Sequence, residues 1–247
     1  MDRWTGKVAV ITGASSGIGS EVVKMLVKKG MIVVGLARRK QKMEDDMKGL
    51  SGVKGRFYAV QCDISKDEDV AKAFAHIKKS IGTVQILVNT AGYATPGGFS
   101  VTTPEIWRGV VAVNMMGAMY CTKEVLTMLQ ESKLEGHIIN MNSILGHRVV
   151  KFLDIDANVY AATKHAITGF SETLQRELIG QNIRITSISP GFVITQIVKE
   201  NSFDTALLKE PALEPVDVAD AVVYVIGTQP RVEVKELILK PLGERAF

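Results

Sequence analysis

The chain has 247 residues, enough for one large domain and too few for two comfortable ones. It is 46% apolar and 23% charged with a formal charge of +4, and its basic residues are scattered rather than set in an aromatic-interleaved stripe, which argues against nucleic acid as a partner. No apolar run approaches the ~20 residues of a membrane span, Cys62 and Cys121 lack metal-ligand spacing, and the N-terminus runs into a strand rather than a signal peptide, so the expectation is one soluble, cytoplasmic, metal-free domain over 1–247.

Taken in order, "KVAVIT" (7–12), "MIVVGLA" (31–37), "RFYAVQC" (56–62), "VQILVNT" (84–90), "HIINMNS" (137–143), "IRITSIS" (183–189) and "KELILKP" (235–241) read as strands. Most are too continuously apolar to face water on one side, which suits a parallel sheet covered on both faces. Amphipathic stretches lie between them. In "DEDVAKAFAHIKKS" Val70, Ala73, Phe74 and Ile77 fall on one helical face, with Asp67 and Glu68 at its start and Lys78 and Lys79 at its end, as the helix dipole favours. The alternation predicts an α/β fold: a single-domain, Rossmann-type, doubly wound parallel sheet of about seven strands, with helices on both faces and right-handed crossovers. The least regular stretch, 192–215, is expected to be a lid over the carboxyl edge of the sheet.

The first strand ends in "TGASSGIG" (12–19) and a helix follows at once. Gly13, Gly17 and Gly19 permit a tight turn and let a pyrophosphate approach the helix N-terminus, where free N–H groups favour an anion. The second strand ends in "GLARRKQK". An acidic residue there would bind the ribose 2′-hydroxyl of NAD; instead Arg38 and Arg39 stand ready to clamp a 2′-phosphate, which favours NADP(H).

"VYAATKHAIT" (159–168) places Tyr160 and Lys164 one helical turn apart. A phenol with a pKa of ~10 is a poor base at neutral pH. A neighbouring ammonium favours its phenolate, and makes it a usable acid/base for a carbonyl–alcohol interconversion. Such pairs are common on helix surfaces, so its company matters. Ser143, at the end of the fifth strand, can hold a substrate oxygen beside the phenol. Asn114, in "VNMMGAMY", is placed to support Lys164 through water, or is an ordinary cap or core amide.

With "TGASSGIG", "NTAG" (89–92), Asn114, Ser143, "YAATK" (160–164) and "PGFVIT" (190–195) in this order and spacing, the sequence resembles the short-chain dehydrogenases/reductases over nearly its whole length. The resemblance implies a tetrad of Asn114, Ser143, Tyr160 and Lys164. Tyr160 would be the acid/base, Ser143 the orienter of the reacting oxygen, Lys164 the pKa depressor and ribose ligand, and Asn114 the anchor of a relay water. It implies cofactor contacts at Gly13, Ser15, Ser16, Gly17, Ile18, Gly19, Arg38, Arg39, Asp63, Ile64, Asn89, Ala91, Gly92, Tyr160, Lys164, Pro190, Gly191, Val193 and Thr195. It implies substrate contacts at Ser143, Leu145, Tyr160 and Phe192, with Tyr93, Ile194, Ile197 and Val198 as further pocket candidates. The family usually carries a second Asn where this chain has Thr90, which bears on adenine-side bonding. His147 either touches substrate or is a satisfied loop histidine.

"MDRWTGKVAVITGAS", "GMIVVGLARR" and "GHIINMNSILGHRVV" are similar to the branch of insect farnesol dehydrogenase-like enzymes and the vertebrate family member eleven. That likeness implies a small hydrophobic alcohol or carbonyl substrate, farnesol-like isoprenoids favoured. A broad carbonyl or ketosteroid reductase and a non-catalytic nucleotide-binding module are the alternatives. The family also implies a homodimer or homotetramer, while Phe170, Leu174 and Leu178 form a stripe that serves either an interface or the core.

Overall fold

In the computed structural model, which describes residues 1–50, 52–149, 156, 158–195 and 209–244, all seven apolar runs are strands. They are β1 (Val8–Thr12), β2 (Ile32–Ala37), β3 (Arg56–Gln61), β4 (Val84–Asn89), β5 (Gly136–Met141), β6 (Ile183–Pro190) and β7 (Glu236–Leu239). Every neighbouring pair is parallel, in the order 3-2-1-4-5-6-7. Among the described residues the α-helices are α1 (Gly17–Lys28), α2 (Lys40–Met47), α3 (Asp67–Ser80), α4 (Pro104–Val111), α5 (Ala118–Ser132), α6 (Tyr160–Glu177) and α7 (Pro215–Gly227). None of the described helices is long and apolar enough to cross a membrane.

The period of two along the strands distributes the core, apart from a register shift between Val84 and Ile86 at the start of β4. Ala9 and Ile11 of β1, with Ile86 and Val88 of β4, meet α1, α2 and α7; Val8, Val10, Val84 and Leu87 face the other way, onto α3, α5 and α6. As predicted, Val70, Ala73, Phe74 and Ile77 are the buried face of α3. Full burial of one such Val, Ile or Phe contributes about 1.5–3 kcal/mol. The edge strand β3 alternates in exposure, unlike the buried central strands. Leu174 and Leu178 lie inside the second core with Phe170 packed against it, so this stripe belongs to the interior of the chain.

One crossover departs from expectation. The steps β5–α6–β6 and β6–α7–β7 run in the same direction across the sheet, yet α6 packs on one face and α7 on the other. The two connections therefore have opposite hands, whereas one hand was expected throughout. The rule depends on a short connection that packs straight back onto the sheet. Here residues 191–214 separate β6 from α7, in a chain where most connections take only a few, and α7 packs against α1 through Val218, Val222 and Val225.

Candidate active site

Because all strands are parallel, β1, β4, β5 and β6 end at one edge, and β1 lies between β2 and β4, where the strand order reverses. Ligands of open α/β sheets bind at such a point. Gly13 (φ +66°) and Gly17 (φ +56°) take the left-handed conformation there, and a Cβ on Gly13 would come within 2.8 Å of Ala91 Cα. Gly19 approaches Gly13 O so closely that its Cβ would lie 2.5 Å away. Ser16 is the N-cap of α1 and makes no side-chain cap, so the first amides of the helix remain available to an anion. Arg39 completes the cradle: its Nη2 donates to Ser15 Oγ at 3.1 Å and Ser16 Oγ at 3.2 Å. A glycine-lined, uncapped helix start under a guanidinium fits the phosphates of a dinucleotide.

Asp63 follows β3 on the same edge and accepts from Ser65 N at 3.1 Å and Ser65 Oγ at 2.7 Å. Burial raises its carboxyl, but the Ser65 bonds and the charges of Arg38 and Lys66 outweigh it and hold the group low and ionised. Ile64 is buried against Gly117, with no space for a Cβ between them. The Asn89 amide turns inward, which leaves its backbone at the end of β4 to meet a cofactor. Its Nδ2 donates to Asn140 Oδ1 at 3.0 Å and to Thr122 Oγ1 at 3.1 Å, inside the β4–β5–α5 packing. Thr90 donates to Thr12 O while Ala91 N donates to Thr12 Oγ1 at 3.1 Å, so the "NTAG" turn is stitched to the end of β1. Gly92 lies under Asn114, whose Oδ1 would be 3.3 Å from an added Cβ.

The four residues of the tetrad come from three elements. Ser143 caps a 3-10 turn (Ile144–Gly146) after β5, its hydroxyl accepting from Leu145 N, and it lies near enough to the Tyr160 phenol to favour the phenolate. Tyr160 opens α6, and Lys164, one turn on, lies with Nζ 5.5 Å from the tyrosine ring centroid, donating to Met141 O at 2.9 Å. Asn114 sits in a π-helical turn (Ala112–Gly117) between α4 and α5. The wider turn aims its amide at the backbone of Tyr93, in a reciprocal pair of 2.9 Å bonds, with Thr163 Oγ1 3.4 Å from Nδ2. Asn114 thus reaches the residue before Lys164. Nothing in "VNMMGAMY" announces the extra residue in that turn, although π-turns recur at functional sites.

Burial pushes the Tyr160 phenol up to about 12, with the Ser143 hydroxyl opposing it, and pushes Lys164 down to about 8. In the chain alone, burial outweighs the lowering of the phenol that the sequence led one to expect from Lys164. At neutral pH the pair is a protonated phenol beside an ammonium.

Around this centre, Leu145 and Phe192 are partly buried at the ends of β5 and β6, and the Tyr93 hydroxyl is pressed against Gly109 of α4. Val193 pairs with Leu213, and Thr195 touches the position of a Gly17 Cβ at 3.5 Å, which closes the β6 turn over the phosphate cradle. Ile194 N donates to Leu213 O at 3.0 Å. Ile197, Val198 and most of the expected lid (196–208) lie outside the described residues. The His147 ring is taken up by Ser189 and Glu236. Two residues escaped sequence reading. Asn158, with φ +37°, donates from Nδ2 to Thr95 O at 2.9 Å just before Tyr160. The Glu244 carboxylate lies directly against Gly191, where a Cβ would collide. Burial raises that carboxyl, with Lys240 and the Phe192 backbone opposing.

Comparison with known proteins agrees with this arrangement. The family model described as short chain dehydrogenase matches residues 7–206. The chain is 43% identical to a farnesol dehydrogenase of Aedes aegypti, covering 99% of this chain and 100% of that one. It is 36% identical to dehydrogenase/reductase SDR family member 11 of Bos taurus, covering 98% of each. Among solved structures, an alcohol dehydrogenase from the archaeon Thermococcus sibiricus complexed with 5-hydroxy-NADP superposes with a TM-score of 0.85 at 25% identity, covering 98% of this chain and 99% of that one. A serine dehydrogenase complexed with NADP+ superposes with a TM-score of 0.86 at 28% identity, covering 96% of each. With the family model spanning most of its length, the chain is an oxidoreductase that belongs to the short-chain dehydrogenase/reductase family.

Proposed function

We propose that the protein is an NADP(H)-dependent alcohol dehydrogenase/carbonyl reductase acting on small hydrophobic substrates, isoprenoid alcohols and aldehydes of the farnesol type first among them. The observation that carries this reading is the Tyr160 phenol, with the neighbouring Ser143 hydroxyl lowering its pKa against burial, the Lys164 ammonium 5.5 Å from its ring centroid and the glycine cradle of α1 alongside. Two hydroxyls side by side bind one substrate oxygen. Tyr160, protonated at neutral pH, donates to that oxygen in reduction and takes the proton back in oxidation. Ser143 orients the oxygen, and Lys164 holds positive charge next to the phenol. A bound nicotinamide supplies or accepts the hydride and, when oxidised, adds positive charge that favours the phenolate.

Choice of NADP(H) is supported by Arg39 over Ser15 and Ser16, and by the NADP ligands of the structural relatives. The isoprenoid class is supported by the 43% identity to a farnesol dehydrogenase. We extend to this chain, from the family alone, a cytoplasmic homodimer or homotetramer.

The test is NADPH consumption and NADP⁺ reduction by the purified protein against farnesol, farnesal, a short diketone, a ketosteroid and a retinoid, with Tyr160→Phe alongside. Turnover of farnesol or farnesal should fall by at least ~10²-fold in the variant, as for loss of a general acid/base, while NADPH still binds. Activity on the diketone or ketosteroid alone would make this a broad carbonyl reductase. Binding of NADPH without turnover of any substrate would make it a nucleotide-binding module.

A further inference from the structure

His147 stands four residues beyond Ser143, and its neighbours suggest a task. Ser143 is aimed by a single 3-10 turn: its hydroxyl accepts Leu145 N–H at 3.1 Å, while Gly146 N and His147 N fold back on Ser143 O and Ile144 O at 2.9 and 3.0 Å. So short a turn has poor hydrogen-bond geometry of its own and needs outside support. On one side it has that support from α6. Thr168 Oγ1 donates to Gly146 O at 2.9 Å and is itself held by Asn142 Nδ2 at 2.9 Å.

On the other side the support is His147. Its Nε2 lies 2.8 Å from Glu236 Oε1 and 3.0 Å from Ser189 Oγ, and Ser189 Oγ donates to Glu236 Oε1 at 3.3 Å. Ser189 is fully buried near the end of β6, immediately before the Pro190–Phe192 segment, and Glu236 opens β7. One imidazole therefore joins the turn after β5 to the end of β6 and to the edge strand β7. Without the His147 contacts the turn keeps its bond to Thr168 and the buried Ile144 but loses its tie to β6 and β7, which loosens the side that holds Ser143.

We propose that His147, together with Ser189 and Glu236, is a positioning group that fixes the Ser143 hydroxyl against Tyr160. It touches neither of them and is not a catalytic residue. The inference rests on the reading of Ser143 and Tyr160 as the site of the substrate oxygen. Misplacing a reacting group by an ångström costs on the order of 10²-fold, and loosening the turn without displacing it costs about tenfold.

The experiment compares His147→Phe, His147→Gln, Glu236→Gln and the His147→Phe/Glu236→Gln double variant with wild type. The readouts are kcat and KM for the best carbonyl substrate, Kd for NADPH, thermal midpoint, and amide hydrogen exchange of residues 143–147 in the ligand-free protein. His147→Phe keeps a ring and loses the donor, and is expected to lower kcat about tenfold with NADPH Kd within about twofold. His147→Gln, which retains an N–H donor, should recover part of the loss. The double variant should be no worse than the worse single one, since the two residues act as a unit. Exchange of the turn amides should quicken in His147→Phe. A kcat kept within twofold in a destabilised His147→Phe protein, additive losses in the double variant, or unchanged exchange would each overturn the assignment. An inactive wild type would defeat the reading of the site, and hydrogen exchange would still decide whether His147 holds the turn.

Discussion

Arg39 reaches back from the end of β2 to both serines of the glycine-rich turn, and Arg38 lies close enough to bias the ionisation of Asp63. On the proposed NADP(H) reading, these two guanidiniums would face the 2′-phosphate, whereas a bare 2′-hydroxyl would gain little from them. Replacing both by Ala should weaken NADPH about 10²–10⁴-fold, as expected for loss of two hydrogen bonds to a charged group worth about 1.5–3 kcal/mol each. NADH should change by no more than about threefold, and fluorescence titration of the two cofactors makes the comparison. Equal losses would remove these arginines from cofactor choice. At this scale the sequence was legible wherever a residue's role follows from its spacing: Gly13 and Gly17 in a turn, or Tyr160 and Lys164 on one face. It was less legible where side-chain direction depends on partners far along the chain. Asn89 turns into the core because Thr122 and Asn140 are there to meet it, and the partners of His147 come from residues 189 and 236.

Among the elements, α6 carries the tyrosine and lysine, and its entry is set by a left-handed residue. Asn158 holds φ +37° while its Oδ1 accepts Val159 N–H at 2.7 Å and its Nδ2 reaches Thr95 O at 2.9 Å and Gly97 O at 3.2 Å. Asparagine tolerates this conformation better than most residues, and alanine in it carries strain of about 1–2 kcal/mol. Asn158→Gly loses the side-chain bonds but keeps the conformation; Asn158→Ala loses both. The alanine variant should therefore be the less stable of the two by about 1 kcal/mol, even after the greater freedom of unfolded glycine is counted. Denaturant melts of the pair measure this directly, and equal midpoints would show that the hydrogen bonds alone set the cost. The strands and α3 were legible as elements because period-two runs and an i, i+3, i+4, i+7 face need no distant information. The π turn at Asn114 and the hand of the last crossover were not, since each follows from packing between helices remote in sequence.

At the scale of the whole molecule, charge is also buried at the end of the sheet away from the site. His137 opens β5 beside Arg184 of β6, and its Nε2 lies 2.8 Å from Thr186 Oγ1, which itself donates to Val234 O at 2.6 Å. The hydroxyl must accept there, so the neutral ring carries its proton on Nε2. Burial and the charges of Arg184 and Arg3 hold His137 well below the ordinary histidine value. The folded protein thus refuses a proton that the unfolded chain accepts below about pH 6.5, and stability falls with pH in that range by up to ~1.4 kcal/mol per unit. His137→Gln, whose amide can still donate to Thr186, should lose less of its thermal midpoint between pH 7 and pH 5 than wild type. An identical loss would locate the acid sensitivity in other groups.

The placement of α7 bears on when the protein comes into being during synthesis. Its apolar face covers α1, the helix whose first amides form the phosphate cradle, and Trp4 Nε1 bonds Ile226 O at 2.7 Å across the same seam. A nascent chain that has completed β6 has made every residue of the tetrad, yet Val22, Val23 and Leu26 still lack the helix that packs on them. Domains fold as units while the ribosome adds residues one at a time, so the earliest element of the site waits for one of the last. The ability to grip a dinucleotide arrives late in translation, and a chain stalled before residue 215 would present an oily helix for chaperones to shield rather than a half-working enzyme.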